Sequence, residues 1–176
     1  MACRWTAASR RCLPLLALLL PPAPGWAVDE LALKAAVAYK LMLFTEWPAL
    51  VLPAGAPLRI CSAAGSPYTE ALRELRGQRI ADHALEPVEL ALDGGGRPCH
   101  AVLLDRSVRS PAALAQTLEG QPTLVIADEL PGLPQAAVRL SVNEGRVGFD
   151  VDLAQVRRRG LRLSAQLLRL ARSVSE

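Results

Sequence analysis

Four cysteines and two histidines carry most of the reactive chemistry in this chain of 176 residues, and their placement excludes more than it permits. Cys99 and His100 are adjacent, and neighbours on a strand point to opposite faces, so they make a poor nucleophile and base pair. His83 falls in an expected loop. One cysteine pair and two scattered histidines lack the ligand spacing of a zinc site, so neither a metal nor any other cofactor is expected. Gly94, Gly95 and Gly96 are not followed by the Lys-Ser/Thr of a phosphate-binding loop. A carboxylate pair would be the remaining machinery for an enzyme, and the chain reads as a binding module rather than an enzyme.

The first 27 residues have the three parts of a secretory signal. Arg4, Arg10 and Arg11 precede a short apolar run, Leu13 to Leu20, and Gly25-Trp26-Ala27 supplies small residues for cleavage. The run is too short to cross a bilayer as a helix, and Pro21, Pro22 and Pro24 close it. A periplasmic protein of one domain, residues 28–176, is expected. Three of the 20 basic residues leave with the signal, so the mature chain balances 17 basic against 17 acidic residues and gives no support to nucleic-acid binding. Arg157, Arg158, Arg159, Arg162, Arg169 and Arg172 stand without an acidic neighbour until Glu176 and predict a basic C-terminal face. Cys3 and Cys12 also leave, and the remaining Cys61 and Cys99 favour one disulfide in an oxidising compartment. Closing that loop is worth about 4 kcal/mol on the chain-entropy model, whether the bond is a plain staple or a redox-sensitive one.

The elements that would position these residues follow from periodicity. Leu31, Ala35, Ala38, Leu41, Met42 and Phe44 recur at helical spacing after a capping Asp29, and Pro48 stops the helix beyond a Thr45-Glu46-Trp47-Pro48 turn. Strands are expected at Leu58 to Ala63, Glu86 to Leu92, Ala101 to Asp105 and Thr123 to Ala127. Helices Tyr68 to Arg76 and Ser110 to Leu118 lie between them. Val138 to Val142 and Val147 to Val151 form a hairpin about Asn143-Glu144-Gly145. Leu153 to Val174 reads as a final helix broken at Gly160. Continuous apolar strands alternating with helices give an α/β fold: a three-layer α/β/α sandwich on a mostly parallel sheet of about six strands.

In open parallel sheets, ligands settle beyond the carboxyl ends of the strands. That rule makes Ser62, Gly65, Ser66, Tyr68, Asp105, Arg106 and Asp128 the candidate pocket for a ligand or partner, although turn and capping chemistry accounts for each residue singly. Trp47 either closes the core or faces a partner; with Arg162, Gln166 and Arg169 it makes the candidate partner surface.

The chain also resembles the YfiR-like periplasmic proteins. The resemblance rests on an ordered set: Phe44-Thr45-Glu46-Trp47-Pro48, Leu58-Arg59-Ile60-Cys61, Gly65-Ser66-Pro67-Tyr68, Cys99-His100-Ala101-Val102-Leu103 and Ala127-Asp128. The runs from Asn143 to Leu153 and from Arg159 to Ala171 close it. The resemblance implies a repressor that binds the periplasmic sensor region of an inner-membrane diguanylate cyclase, lowering cyclic di-GMP and biofilm formation, and it implies a homodimer. It also implies a disulfide at the positions of Cys61 and Cys99. A second cysteine pair, known in a member of the family, is absent here, which puts a two-disulfide switch in doubt. The competing reading is a periplasmic small-ligand sensor or solute-binding module feeding a membrane kinase or transporter.

Overall fold

The computed structural model describes residues 29–90 and 97–176, so the expected signal peptide, residues 91 and 92 of the expected strand and the Gly94–Gly96 loop lie outside the described residues. Helix α1 (Glu30–Leu43) starts where Asp29 accepts the Leu31 N–H at 3.1 Å, and it buries Ala35, Ala38, Leu41 and Met42. It is followed by β1 (Thr45–Glu46), β2 (Leu58–Ala63), α2 (Tyr68–Arg73), β3 (Arg79–Ile80), β4 (His83–Leu90), β5 (Ala101–Leu104), α3 (Pro111–Thr117) and β6 (Leu124–Asp128). The remainder comprises β7 (Val138–Asn143), β8 (Arg146–Asp152), α4 (Leu153–Arg158), β9 (Arg162–Leu163), α5 (Ala165–Leu168) and β10 (Ser173–Ser175).

Eight strands form one sheet in the order β10-β8-β7-β6-β5-β2-β4-β3. The five central strands β4, β2, β5, β6 and β7 are mutually parallel. Counted in chain order they run second, first, third, fourth, fifth, so the chain reverses its direction of travel between β2 and β5. Side chains alternate across the sheet as pleating requires. Leu58, Ile60, Leu103 and Ile126 join one apolar cluster with α1 and α2, while Cys61, Val102, Leu104 and Val125 join another with Ala115 of α3. The β7–β8 hairpin turns on Glu144 and Gly145, both at positive φ, as a tight two-residue loop demands. Cys61 and Cys99 are disulfide-bonded with Cα atoms 6.0 Å apart, tying β2 to the segment entering β5.

Several sequence expectations need correction. The sheet has eight strands rather than about six, because β3 and β10 are too short to show a period. The helices also do not make two even layers: α1, α2, α4 and α5 feed one cluster, and α3 alone the other. Leu153–Val174 is not one broken helix. Gly160, at φ +66°, ends α4; Arg162 and Leu163 pair with β1, Ser164 caps α5, and Ser173–Ser175 pair with β8. The basic face is likewise smaller than expected, since Arg159 is buried, Arg172 pairs with Asp150 across the sheet and Arg157 reaches Glu176. Thr45 and Glu46 are strand rather than turn, and His83 opens β4 instead of lying in a loop.

His100 couples the two central strands where they begin. Its Nδ1 accepts the Arg59 N–H at 2.9 Å, and its carbonyl accepts from Leu124 N and from Trp47 Nε1. Burial disfavours the imidazolium, and the charges of Arg59 and His83 oppose it further; a hydrogen bond to the Val51 backbone pulls the other way, leaving the pKa below the ordinary histidine value. A base with a lowered folded-state pKa stabilises the fold fully above its unfolded value of about 6.5 and loses that contribution as pH falls. Urea midpoints should therefore decline between about pH 7 and 5, and His100→Asn, which keeps an acceptor for Arg59, should flatten the decline. A wild-type profile already flat in that range would contradict this role.

Candidate functional site

The reversal between β2 and β5 opens a crevice at the carboxyl ends of the sheet, and the residues around it are locally well explained. Gly65, at φ +75°, turns the chain after β2, and Ser66 N–H closes that turn on the Ala63 carbonyl. Ser66 Oγ accepts the Tyr68 N–H at 3.2 Å and donates to Asp105 Oδ2 at 2.5 Å across the reversal. Asp105 Oδ1 accepts the Ser107 N–H at 2.6 Å, which holds the loop after β5. Both Ser66 and Asp105 are buried.

Beside this pair lies a second polar group centred on Asp128, the last residue of β6. The Tyr68 hydroxyl donates to Asp128 Oδ2 at 2.6 Å, and Lys34 Nζ donates to the same oxygen at 3.1 Å. Oδ1 lies 2.8 Å from Nζ as an ion-pair contact and makes no hydrogen bond of its own. Lys34 also meets Glu30 at 2.7 Å and Glu129 at 3.5 Å, and Arg106 meets the other oxygen of Glu129 at 3.4 Å. Glu129 holds a left-handed backbone at φ +51°, the kind of local strain that clusters at functional sites. Burial pulls the Lys34 ammonium down, but its bonds to Asp128 and Glu30 outweigh that, so its pKa sits above the ordinary lysine value. Burial first, then the hydrogen bond to Asp128, drives the Tyr68 phenol far above its ordinary range. Both groups hold their protons at neutral pH, which keeps the hydrogen bond and the ion pair to Asp128 in place.

Of the seven pocket residues expected from the sequence, Gly65, Ser66, Tyr68, Asp105, Arg106 and Asp128 gather at this edge. Ser62 stands apart: it is buried, its hydroxyl lies 3.5 Å from that of Thr69, and it lines a separate cleft of about 280 Å³ with Arg73, Arg76 and Glu89. A larger cleft of about 410 Å³ opens beside the reversal, walled by Ala63, Ala64, Val108, Ala113 and Leu114 with Arg109 on its lining. Lys34 was missed in the sequence reading. Its signal was there to find: with Ala35, Ala38, Leu41 and Met42 it occupies the inward stripe of α1, where a lysine needs a buried partner.

The other expected surface is elsewhere. Trp47 is half-buried against the core, its indole N–H on the His100 carbonyl and its ring edge-on to that imidazole at 6.3 Å. Arg162, Gln166 and Arg169 are exposed on β9 and beyond, next to β1. Lys34 stands in the second turn of α1 and Trp47 lies beyond its C-terminal end; Lys34 to Leu43 alone spans roughly 14 Å at 1.5 Å rise per residue, so the two sets of residues do not form one site. Cys99 is held by Cys61. Among the described residues no group of three or more His, Cys, Asp or Glu could hold a metal ion, and no helix is long and apolar enough to cross a membrane.

The chain is a mixed α/β domain whose parallel centre reverses direction between β2 and β5, with a polar edge at that reversal, the place where open α/β sheets hold ligands when they bind them. The YfiR/HmsC-like family model matches residues 31–172, and the chain belongs to that family. No curated protein matches it.

Asp128 is the acceptor shared by both buried donors and the most buried of the three carboxylates around Lys34; an Asn in its place keeps one acceptor oxygen but loses the buried counter-charge. Asp128→Asn should lower the unfolding free energy by about 3 kcal/mol, against about 1 kcal/mol for Tyr68→Phe, in urea titrations followed by circular dichroism. Equal small effects would show that the network contributes little.

Proposed function

We propose that the chain is a periplasmic regulatory binding protein that holds the sensor region of an inner-membrane diguanylate cyclase in its inactive state. The observation that carries this reading is the YfiR/HmsC-like match over nearly all of the described residues, a family consistent with such regulators. The signal-like segment Met1–Ala27 supports export. A regulator of this kind acts by binding the inactive sensor more tightly than the active one, which shifts the population without chemistry.

The edge built by Ser66, Tyr68, Asp105, Arg106 and Asp128 is the proposed partner face. Glu30, Asp105, Asp128 and Glu129 there outnumber Lys34 and Arg106, so the face suits a partner segment bearing basic side chains. The Cys61–Cys99 bond gives the proposal a redox arm, because reduction would loosen β2 against β5, the two strands that frame the face. The cleft of about 410 Å³ beside the reversal favours a second reading, a small ligand sensed at the same edge and reported to a membrane kinase or transporter.

Deleting the gene in its own organism should raise cyclic di-GMP several-fold, and the full secreted chain should restore the basal level while a chain starting at Val28 should not. Unchanged cyclic di-GMP in the deletion strain would overturn the cyclase reading and leave the ligand-sensing one. Restoration by the unexported chain would overturn the periplasmic assignment.

A further inference from the structure

Lys34 and Arg159 are the buried lysine and arginine side chains among the described residues, and they are treated very differently. Lys34 has three carboxylates within ion-pair distance. Arg159 is 3% exposed, its two terminal nitrogens donate to the neutral carbonyls of Leu118 at 2.6 Å and Gln135 at 3.2 Å, and its Nε has no partner. No carboxylate among the described residues lies within ion-pair distance of it. Leaving a buried charge without a counter-charge is costly, and Arg cannot escape by losing its proton at physiological pH. Capping the end of α3 through Leu118 accounts for one of its bonds; a neutral amide would serve there as well.

A cleft of about 490 Å³ opens against this residue, lined by Arg158 and Arg159 together with Gln135, Gln155 and Glu119. Gln135 Oε1 in the same wall also lacks a partner, but as an acceptor it calls for a donor rather than an anion, and the Gln135 amide nitrogen donates to Gln116 Oε1 at 3.3 Å. Arg158 is exposed and makes no ion pair among the described residues. Glu119 is the one acidic side chain lining the cleft; it is exposed, accepts from the Gln116 amide at 3.0 Å, and favours the Arg159 charge from beyond ion-pair distance. The cleft is remote from the partner face, because α3 begins at the carboxyl ends of the strands and finishes at their amino ends, where Glu119 follows it.

We propose that this cleft is a second binding site, for the carboxylate or phosphate group of a small anion, with Arg159 as the fixed charge in its wall and Arg158 as the donor that closes over the ligand. Fixing a guanidinium by two carbonyls before the ligand arrives orders it in advance, and water exclusion strengthens its field. A planar fork of donors also matches both oxyanion types, as an ammonium would not.

The test is a calorimetric titration of the secreted chain with sodium phosphate and, separately, with sodium succinate, at constant ionic strength set by chloride. In parallel, the Arg159 Nε–H resonance is followed by NMR in the same titrations. One saturable site for either anion is expected, with the Nε–H signal shifting along the same curve, and the arm that saturates names the oxyanion. Arg158→Ala should keep the fold and weaken binding roughly tenfold, the effect of one charge-assisted hydrogen bond. Arg159→Gln should abolish binding; if that variant does not fold, the resonance and the Arg158 variant decide. An Nε–H signal that does not move saturably with either anion, or an affinity unchanged in Arg158→Ala, would overturn the proposal.

Discussion

Lys34 carries a positive charge into the interior from the first turns of α1, and the structure arranges carboxylates around it from two directions. Asp128, at the very end of β6, must stand where the ammonium and the Tyr68 hydroxyl both reach it. That single requirement fixes the height of α1 against the sheet, the entry of α2 behind the Gly65 turn, and the path of the chain after β6 through the left-handed Glu129. The Ser66–Asp105 bond then locks the loop after β5 to the loop after β2. A buried ion pair adds little net stability, because desolvation offsets the attraction, but it penalises every arrangement that separates the partners. The carboxyl edge of the sheet is thereby held in one geometry, which is what a recognition surface needs.

Much of this was legible in the sequence, where side-chain period and cap chemistry speak directly. The first helix, the continuous apolar strands, the Glu144-Gly145 hairpin and the residues at the carboxyl ends could all be read from local pattern. The C-terminal segment could not. Leu161, Leu163, Leu167, Leu168 and Leu170 mimic a helical stripe, but Leu163 faces the β1 ribbon and Leu170 is 65% exposed, while Leu167 packs in the core. Pairings such as β1 with β9 and β10 with β8 join residues more than twenty positions apart, and segments of two or three residues carry no period of their own. The charged residues misled for a related reason: sign and spacing on paper say nothing of Asp150 lying beside Arg172 across the sheet, or of Arg159 turning inward.

The two ends of the sheet have opposite electrostatic character. At the carboxyl ends a buried cation is over-matched by acids; at the amino ends a buried cation has none within ion-pair distance among the described residues. On the proposed reading such a division has a use, since one face would hold the membrane partner while the other answers to a small anion. Coupling between them would run through α3 and the parallel strands that span the distance, as rigid elements rather than moving loops.

The most direct test of the account is hydrogen exchange on the secreted chain with and without the purified sensor region of the diguanylate cyclase from the same organism. Slowed exchange is expected in the segments 63–68, 105–110 and 128–133, which frame the carboxyl edge, with little change around Arg162, Gln166 and Arg169. Protection confined to that C-terminal surface, with the carboxyl edge unchanged, would contradict it.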